Sequence, residues 1–451
     1  MSDMPGTSGA GVEEGAGRYL IFFHPEGMAE TSRMASDLAG IEMPATAAEA
    51  ESVTASGEWR EKDTVVLPTL GIAISSVPPD RVRRLDVGGR SPVRHVRKEY
   101  EFTIAAPSLE AGAVNVSEDY LRGFRAGVGA LAEDLLGRGR GLVEAEEEDG
   151  FAILSSATFR DNDDLTWGLQ ATGASQSGLT GRGVRVAILD TGFEMQHPDF
   201  IARNIVSKSF IAGISTAQDD NGHGTHCLGT LGGPRSPAGE PRYGIASGAE
   251  LFVGKVMKSN GKGNEGDILL GLDWALQNRC RIVSMSIGKP VARGEAPDAR
   301  YEEIGAIALR RNCLLIAAAG NDSDRPGRVV PVEMPANSTT VMAVGAINRR
   351  LELYRLSNGG INANGGGIDL AGPGVDVLSS ERIGLARPYG VESGTSMATP
   401  HVAGVAALLM EARPDASAEE IWTKLTQSAR RLSLPSSDVG SGLVQILSAD
   451  P

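Results

Sequence analysis

The segment Val184-Arg-Val-Ala-Ile-Leu-Asp-Thr-Gly192 carries the strongest indication of the fold. Val186 and Ile188 belong to a short, nearly continuous apolar run, which is typical of a strand buried on both faces of a parallel sheet. The run ends in Asp190, and functional carboxylates often stand at the carboxyl ends of such strands. An ordinary turn aspartate explains this tripeptide equally well when it is taken alone.

A histidine between glycines follows in Asn221-Gly-His-Gly-Thr-His-Cys227. The glycines indicate that another helix begins at His223. His223 and His226 also fit a metal pair on one helix face. Zinc needs further ligands, and no Glu or Cys cluster stands at ligand spacing in the sequence. A zinc site is therefore incomplete in this motif.

The third motif is Gly394-Thr-Ser-Met-Ala-Thr-Pro-His401, which leads into the apolar run Val402–Met410. Ser396 is predicted in the first turn of a buried helix, where backbone N–H groups lack partners and negative charge is stabilised. A hydroxyl that attacks a carbonyl needs this environment for the oxyanion that it creates. A plain helix cap is the alternative, because serine is a favoured N-cap residue.

The order Asp190, His223, Ser396 resembles that of the subtilisin-like serine proteases (subtilases), and the resemblance covers well over half of the chain. The buried run Leu314–Asp322 is a fourth matching motif. The resemblance implies that Asn321 donates its side-chain N–H to the oxyanion, together with the backbone N–H of the serine. It also implies that the histidine takes the serine proton while the aspartate orients the imidazole.

The same resemblance implies where a substrate lies. In the family, segments that match 261–263 and 286–288 pair with an extended substrate as neighbouring strands, so that main-chain hydrogen bonds give affinity and side-chain pockets give selectivity. Ordinary glycine loops are the alternative. The residues that we assign to the substrate cleft are Gly261, Lys262, Gly263, Ser286, Ile287, Gly288, Ala318, Ala319, Gly320 and Glu333.

Glu333 is predicted to select the residue before the scissile bond. The pocket walls should be 286–288 and 318–320, and the match of Met334-Pro-Ala336 to the family's aromatic-Pro-small segment places Glu333 near the floor. Asp322 falls at the rim. A carboxylate on an apolar floor would favour Lys or Arg in the substrate. The alternative is that Glu333 points to solvent from an irregular loop.

No cofactor is needed for this chemistry, but many family members carry structural calcium. Asp199 matches the family's strong calcium position, although the loop Gly232–Pro241 departs from the family's Asn-rich loop. Asp369 matches a weaker position, which backbone carbonyls near Thr339 and Val341 would complete with hard oxygen ligands. A strand-end aspartate that caps a turn explains Asp369 as well.

Composition indicates a soluble globular protein. The chain has 451 residues, of which 41% are hydrophobic and 22% charged, and its net charge is −14. At roughly 100–200 residues per domain, two or three domains are expected. The acidic balance argues against nucleic acid and membrane surfaces as partners, and no apolar run approaches the ~20 residues of a transmembrane helix.

The N-terminus and the cysteines predict a cytoplasmic location, with export that needs no signal peptide as the alternative. Residues 1–17 form a flexible, acidic stretch without the basic and apolar regions of a signal peptide. Cys227, Cys280 and Cys313 do not make a disulfide framework, as expected in a reducing compartment. We interpret Cys227 as a buried neighbour of the triad rather than as a nucleophile.

Residues 18–105 predict a small α+β domain. Its β-α-β-β-α-β order is ferredoxin-like and resembles the inhibitory pro-domain of the subtilases. One sheet face would cover two helices of the catalytic domain while the C-terminal tail occupies the cleft. The predicted strands are Tyr19–Phe23, Thr64–Pro68, Gly71–Ser76 and Pro92–Ala105, and the predicted helices are Gly27–Leu38 and Pro79–Leu85.

Residues 165–451 predict a doubly wound, mostly parallel α/β sheet, because strands alternate with helices along this part of the chain. Residues 106–164 form a junction, with a predicted helix over Glu118–Leu136 and an exposed acidic linker over Glu144–Asp149. The cut between the two domains is predicted between Pro107 and Asp164.

Three functions fit these features. The leading one is a serine endopeptidase made as a self-inhibited zymogen that processes itself, with a polypeptide substrate and its own pro-domain as partners. The second is a dedicated processing protease or a macrocyclase, which passes the acyl-enzyme to an amine. The third is a binding protein without activity, and the intact Asp190, His223, Asn321 and Ser396 argue against it.

Overall fold

The computed structural model describes residues 17–23, 62–77, 93–105, 159–384 and 387–446, together with the isolated positions 33, 42, 44, 48–50, 52 and 81. Within these residues, no helix is long and apolar enough to cross a membrane. The helices and strands below are numbered in chain order within the same residues.

A small sheet lies at the N-terminus, with strands β1 (Tyr19–Phe23), β2 (Thr64–Leu67), β3 (Ile72–Ser75) and β4 (Val93–Lys98). Its order is β2-β3-β1-β4, and all neighbours are antiparallel. This order fits the predicted ferredoxin-like domain, because β1 and β2 are separated by β3 and so need a crossover between them. We call these four strands the N-terminal sheet.

The connections of this sheet are described only in part. Arg33 and Arg81, which fall inside the two predicted helices, have helical backbone. The rest of both predicted helices lies outside the described residues. The same holds for the predicted helix Glu118–Leu136 and for the acidic run Glu144–Asp149.

The predicted last strand, Pro92–Ala105, is wrong as a single element. After β4 the chain leaves the N-terminal sheet and forms a separate strand, β5 (Glu101–Ile104). The break falls at Glu99, whose carboxylate accepts the Gly266 N–H at 3.1 Å in the first turn of a helix. The sequence does mark this break, because Arg97, Lys98 and Glu99 are three polar residues in succession and interrupt the alternation on which the single strand was predicted.

The larger part of the chain has the doubly wound parallel sheet that the sequence predicts. Its seven strands are β6 (Arg185–Asp190), β7 (Val206–Ser209), β8 (Glu250–Lys255), β10 (Ile282–Met285), β12 (Leu314–Ala318), β13 (Met342–Ile347) and β14 (Leu370–Pro373). They follow the order β14-β13-β12-β10-β6-β8-β7, and all six neighbouring pairs are parallel.

Shorter strands and the helices complete this domain. The short strands are β9 (Lys262–Asn264), β11 (Ile287–Gly288), β15 (Val377–Ser380) and β16 (Tyr389–Glu392). The helices are α1 (Trp167–Ala171), α2 (His223–Gly232), α3 (Glu265–Gln277), α4 (Ala299–Arg310), α5 (Thr395–Ala412), α6 (Ala418–Ser428) and α7 (Ser436–Val439).

Both faces of the central sheet are buried. Val186 in β6 packs in one apolar cluster with α2 and α5, whereas its neighbour Ala187 packs in a second cluster with α3 and α4. Successive side chains of a strand point to opposite faces, so a strand between two helical layers has to be apolar throughout. Leu20 and Phe22 of the N-terminal sheet belong to the second cluster, and the small sheet therefore covers that helical layer.

The order of the strands reverses beside β6. The chain runs from β6 to β7 and β8 on one side, and then to β10, β12, β13 and β14 on the other. Such a reversal opens a crevice at the carboxyl ends of the two central strands, where open α/β sheets bind ligands. Asp190 is the last residue of β6 and Ser286 directly follows β10, so both lie at this crevice.

Candidate active site

Asp190 and His223 form a buried hydrogen-bonded pair. The Nδ1–H of His223 donates to Asp190 Oδ1 at 2.8 Å, and the Thr191 N–H donates to the same oxygen at 2.7 Å. His223 is the first residue of α2, and Gly222 before it has a φ of 117°, which favours glycine. A strand end and a helix start thus bring the two side chains together.

The charge of Asp190 raises the pKa of the His223 imidazole. Burial alone would lower the pKa of His223, but the charge and hydrogen bond of Asp190, together with Cys227, raise it well above the ordinary 6.5. The other ring nitrogen, Nε2, is buried and has no hydrogen-bond partner among the described residues. The imidazole is therefore held by Asp190 at Nδ1, while Nε2 has no hydrogen bond that would prevent it from accepting a proton.

Ser396 lies beside this pair. The sulfur of Cys227 is 4.0 Å from His223 Nδ1 and 3.5 Å from the carbonyl oxygen of Ser396, so one buried atom contacts both residues. Ser396 is the second residue of α5, an 18-residue helix whose first turn has N–H groups without helical acceptors. Burial raises the pKa of the Cys227 thiol, which keeps it protonated and a poor nucleophile.

The histidine motif does not form the metal pair considered above. His226 turns away from the site and donates from Nε2 to the Val377 carbonyl at 2.9 Å. Within the described part of the chain, one group of three or more possible ligands lies close together, namely Asp190, His223 and Cys227. These are His223 and the two residues that contact it in the hydrogen-bonded site described above.

The chain itself fills the crevice beside Ser396. β5 pairs antiparallel with β9 on one side and with β11 on the other. Beyond β5, the Ala105 N–H donates to the Ser286 carbonyl at 3.0 Å. The carbonyl oxygen of Ala105 accepts the Ser396 hydroxyl at 2.6 Å and also the Asn321 side-chain amide. The Ala105 carbonyl oxygen thus accepts hydrogen bonds from the Ser396 hydroxyl and from the Asn321 amide at the same time.

Asn321 is oriented by the start of α5. Its side-chain oxygen accepts the Thr395 N–H at 2.9 Å, which directs its amide group toward Ala105. Gly320, just before it, has a φ of 104°, a conformation that other residues rarely adopt. The loop after β12 therefore turns sharply and presents the amide at the crevice.

The predicted cleft segments flank β5. Segment 261–263 adjoins it through β9, and the Gly261 carbonyl accepts the Ile104 N–H at 2.8 Å. Segment 286–288 adjoins it through Ser286 and β11. Lys262 pairs with Glu101 at 2.8 Å, but both side chains are about half exposed, so this ion pair contributes little.

Glu333 does not point to solvent. It is 4% exposed, and its backbone N–H donates to the Ala319 carbonyl at 3.0 Å. A Cβ on Gly288 would lie 1.8 Å from a Glu333 carboxyl oxygen, and a Cβ on Gly320 would lie 2.7 Å from Glu333 Cγ. The acid therefore stands between the two predicted pocket walls.

The aspartates at the two predicted calcium positions are not surrounded by calcium ligands. The carboxylate of Asp199 accepts the hydroxyls of Tyr389, at 3.1 Å, and Tyr243. That of Asp369 accepts the Ala343 N–H at 2.7 Å, and burial raises its pKa to about 7. Calcium needs ionised or carbonyl oxygens that face the cation, whereas these oxygens face hydrogen-bond donors. Neither position fits calcium.

The sequence analysis missed two residues at this site. Ala105 has no reactive group, and its position depends on the pairing of β5 with a distant strand. Glu392 stands four residues before Ser396 at the end of β16. Burial raises the pKa of Glu392, and the charge of His223 opposes that rise, so the two residues interact. Its position next to the serine motif was the available signal.

Comparison with known proteins gives a consistent set of relatives. Residues 181–442 match the sequence model of the subtilase family. Subtilisin Savinase of Lederbergia lenta is 37% identical over 284 residues, which are 62% of this chain and 96% of that protein. The thermostable alkaline protease of Halalkalibacterium halodurans is 35% identical over 305 residues, covering 65% and 75%. Subtilisin DY of Bacillus licheniformis is 32% identical over 284 residues, covering 62% and 96%.

Proposed function

Because this chain belongs to the subtilase family and is a serine endopeptidase of the subtilisin type, we propose that Asp190, His223 and Ser396 are its catalytic triad. We further propose that the protein is made as a zymogen whose N-terminal sheet and β5 form an inhibitory pro-domain. The contact of the Ala105 carbonyl with Ser396 and Asn321 is the observation that carries both proposals.

In the proposed mechanism, Ser396 Oγ attacks the carbonyl carbon of a residue held where Ala105 now lies. The hydroxyl first turns from the Ala105 oxygen to His223 Nε2, which takes its proton. Hydrogen bonds of this kind often tighten only in the reactive complex. Asp190 holds the imidazole in the required tautomer through Nδ1–H and stabilises the imidazolium that forms.

Negative charge then develops on the former carbonyl oxygen. Asn321 donates to that oxygen, and the first turn of α5 adds N–H groups and the positive end of a helix dipole. Loss of one such donor costs about 10²–10³ in kcat, a figure that comes from a subtilisin and is borrowed here. His223 next gives its proton to the leaving amine, and a water activated by the same base hydrolyses the acyl-enzyme.

The proposed self-cleavage falls at the bond between Ala105 and Ala106, just before the interval that the sequence analysis allowed. Two features support this bond: the antiparallel pairing of β5 with β9 and β11, and the hydrogen bond from the Ala105 N–H to Ser286. After the cut, β5 would keep its main-chain bonds and stay in the cleft as a bound product. Inhibition then lasts until the pro-domain dissociates.

The test compares the full chain with its Ser396→Ala variant. We expect the wild type to yield a fragment that ends at Ala105, to hydrolyse peptides and to react with a fluorophosphonate. The Ser396→Ala chain should stay intact and unlabelled with an unchanged Tm. Ser393→Ala, three residues away, is the matched control and should behave as the wild type. Self-cleavage of Ser396→Ala at the wild-type rate would contradict the proposal.

Two further predictions stay open to experiment. If the acyl group passes from the enzyme to an amine instead of to water, the products are ligated or cyclic peptides. Mass spectrometry of the peptide products distinguishes transfer from hydrolysis.

We also keep the cytoplasmic location as a proposal. All three cysteines are buried thiols without a disulfide, which supports it, and cell fractionation tests it.

A further inference from the structure

The space behind Ala105 is enclosed by the two segments that hold its backbone. Ser286 accepts the Ala105 N–H, and Asn321 donates to the Ala105 carbonyl. The side chain of the residue before the scissile bond must therefore enter between these segments. Ala105 itself is 4% exposed, so even its methyl group is covered.

Glu333 occupies the room between these segments. Gly288 stands two residues after Ser286, and Gly320 stands directly before Asn321. The carboxyl group of Glu333 lies so close to both glycines that neither has space for a Cβ. A pocket that would reach deep between bare glycine walls is thus already filled by a side chain of the protein.

The filling side chain is fixed in place. Burial, and after it the hydrogen bond and charge of Asp322, raise the pKa of Glu333 well above its ordinary value. The buried carboxyl of Glu333 thus faces Asp322, which is itself held by a neighbouring residue. The amide of Asn358 donates to the Asp322 carboxylate at 3.2 Å and accepts the Asp322 N–H at 2.9 Å. Movement of Glu333 would leave buried polar groups without partners, which is costly.

We propose that Glu333 is the specificity-determining residue of the primary pocket and restricts cleavage to small residues, of which Ala105 is the example in the chain itself. The inference rests on the proposed function, because it takes Ala105 as the residue before the cut. A Leu or Phe side chain would have to displace a fixed carboxyl. A Lys side chain would need the same space, so this inference differs from the preference for basic residues predicted from the sequence.

A compensation experiment in the full chain tests the size filter. Ala105→Leu should slow self-cleavage by about 10–200-fold, the usual range for a side chain of the wrong size in an apolar pocket. Glu333→Ala combined with Ala105→Leu should recover most of that loss, because it opens the space that leucine needs. Glu333→Gln combined with Ala105→Leu is the matched control; it keeps the volume and should not recover cleavage.

Ala105→Lys separates size from charge. A size filter predicts slow cleavage after lysine, as after leucine, whereas cleavage faster than after alanine would overturn the proposal. Failure of Glu333→Ala to rescue a folded Ala105→Leu chain would overturn it as well. Added peptides of the form Phe-Thr-Ile-X-p-nitroanilide, with X as Ala, Leu or Lys and p-nitroaniline as the leaving group, give the ranking with the wild type when a variant does not fold. If the wild type neither cuts itself nor hydrolyses any peptide, the proposed function itself fails.

Discussion

Burial and the charge of Asp190 shift the pKa of His223 in opposite directions. Its burial favours the neutral imidazole, and the carboxylate of Asp190 at 2.8 Å favours the imidazolium. The carboxylate prevails, so the pKa of His223 lies above its ordinary value. The proposed base is therefore strong enough to take the Ser396 proton, but it is neutral only at higher pH.

This balance predicts the acid limb of the pH profile. His223 acts as a base only when it is neutral, so activity should be lost as pH falls through the raised pKa, with the midpoint above 6.5. Asp190→Asn removes the opposing charge and should move the midpoint to lower pH, while kcat falls by about 10⁴. The measurement is kcat/KM against pH with an alanine peptide. A wild-type midpoint below 6.5, or an upward shift in Asp190→Asn, would contradict the assignment.

Residues with reactive groups could be found from the sequence, and residues that act by position could not. Asp190, His223 and Ser396 stand in short motifs whose glycines and apolar runs follow from local backbone demands. Ala105 has only a methyl side chain and directly follows β5, and only its pairing with a segment far along the chain gives it a role. Glu333 was expected near the pocket floor from the family resemblance, but its burial depends on two glycines outside its own loop.

At the scale of elements, the link between β4 and β5 joins the N-terminal sheet to the rest of the chain. Arg97 in β4 donates to both carboxylate oxygens of Glu265, at 2.6 and 2.5 Å, and its side chain is only 11% exposed. The Tyr100 N–H donates to the same carboxylate at 2.8 Å. Glu265 begins α3 and is fully buried here, so the contact shields a charge that needs its partner.

Arg97→Ala should weaken the inhibition by the pro-domain. Removal of one partner of a buried ion pair costs about 3–5 kcal/mol because the other charge stays buried. Arg94→Ala is the matched control: Arg94 pairs with Glu303 at the same interface, but both side chains are about one third exposed, and such a pair is worth about 0–1 kcal/mol. The measurement is the lag between self-cleavage and peptidase activity. A shorter lag is expected for Arg97→Ala alone, and equal lags in both variants would refute the argument.

The elements themselves follow the sequence where hydrophobic periodicity is clear. β1 has the predicted bounds, and the apolar run at β6 forms the expected central strand. The run Pro92–Ala105 was predicted as one strand because its second half alternates, although Arg97, Lys98 and Glu99 are all polar. The break falls where the Glu99 carboxylate accepts an N–H in the first turn of α3, a contact between residues that are 167 positions apart in sequence.

For the whole molecule, the fold class could be predicted from local patterns, whereas the placement of the small sheet over two helices of the large domain was expected only from the family resemblance. Alternation of strands and helices indicates a doubly wound sheet from local patterns alone. The shared apolar cluster, in which Phe22 and Phe102 pack with residues of α3 and α4, arises only when both parts are folded. In the proposed zymogen this surface would serve as core, and it would become exposed when the N-terminal sheet dissociates.

The stability of the whole molecule should not depend on calcium. The buried carboxylate of Asp199 is held by the hydroxyls of Tyr243 and Tyr389, and the Tyr389 ring packs against His197 with centroids 5.2 Å apart. Hydroxyl donors thus supply the compensation that a cation would otherwise give to a buried charge. We expect the Tm of the Ser396→Ala chain, which cannot digest itself, to be the same in EDTA and in calcium chloride.

Tyr389→Phe in the same background provides the contrast. It removes one donor from the buried carboxylate, which should cost about 1–3 kcal/mol and lower the Tm by roughly 2–4 °C per kcal/mol for a domain of this size. Tyr354→Phe, at a half-buried tyrosine, is the control and should change the Tm little. Two results together would contradict this prediction: a Tm that rises with calcium and falls with EDTA, and a Tm that Tyr389→Phe leaves unchanged. They would mean that a cation, and not the tyrosine hydroxyls, compensates the buried carboxylate of Asp199.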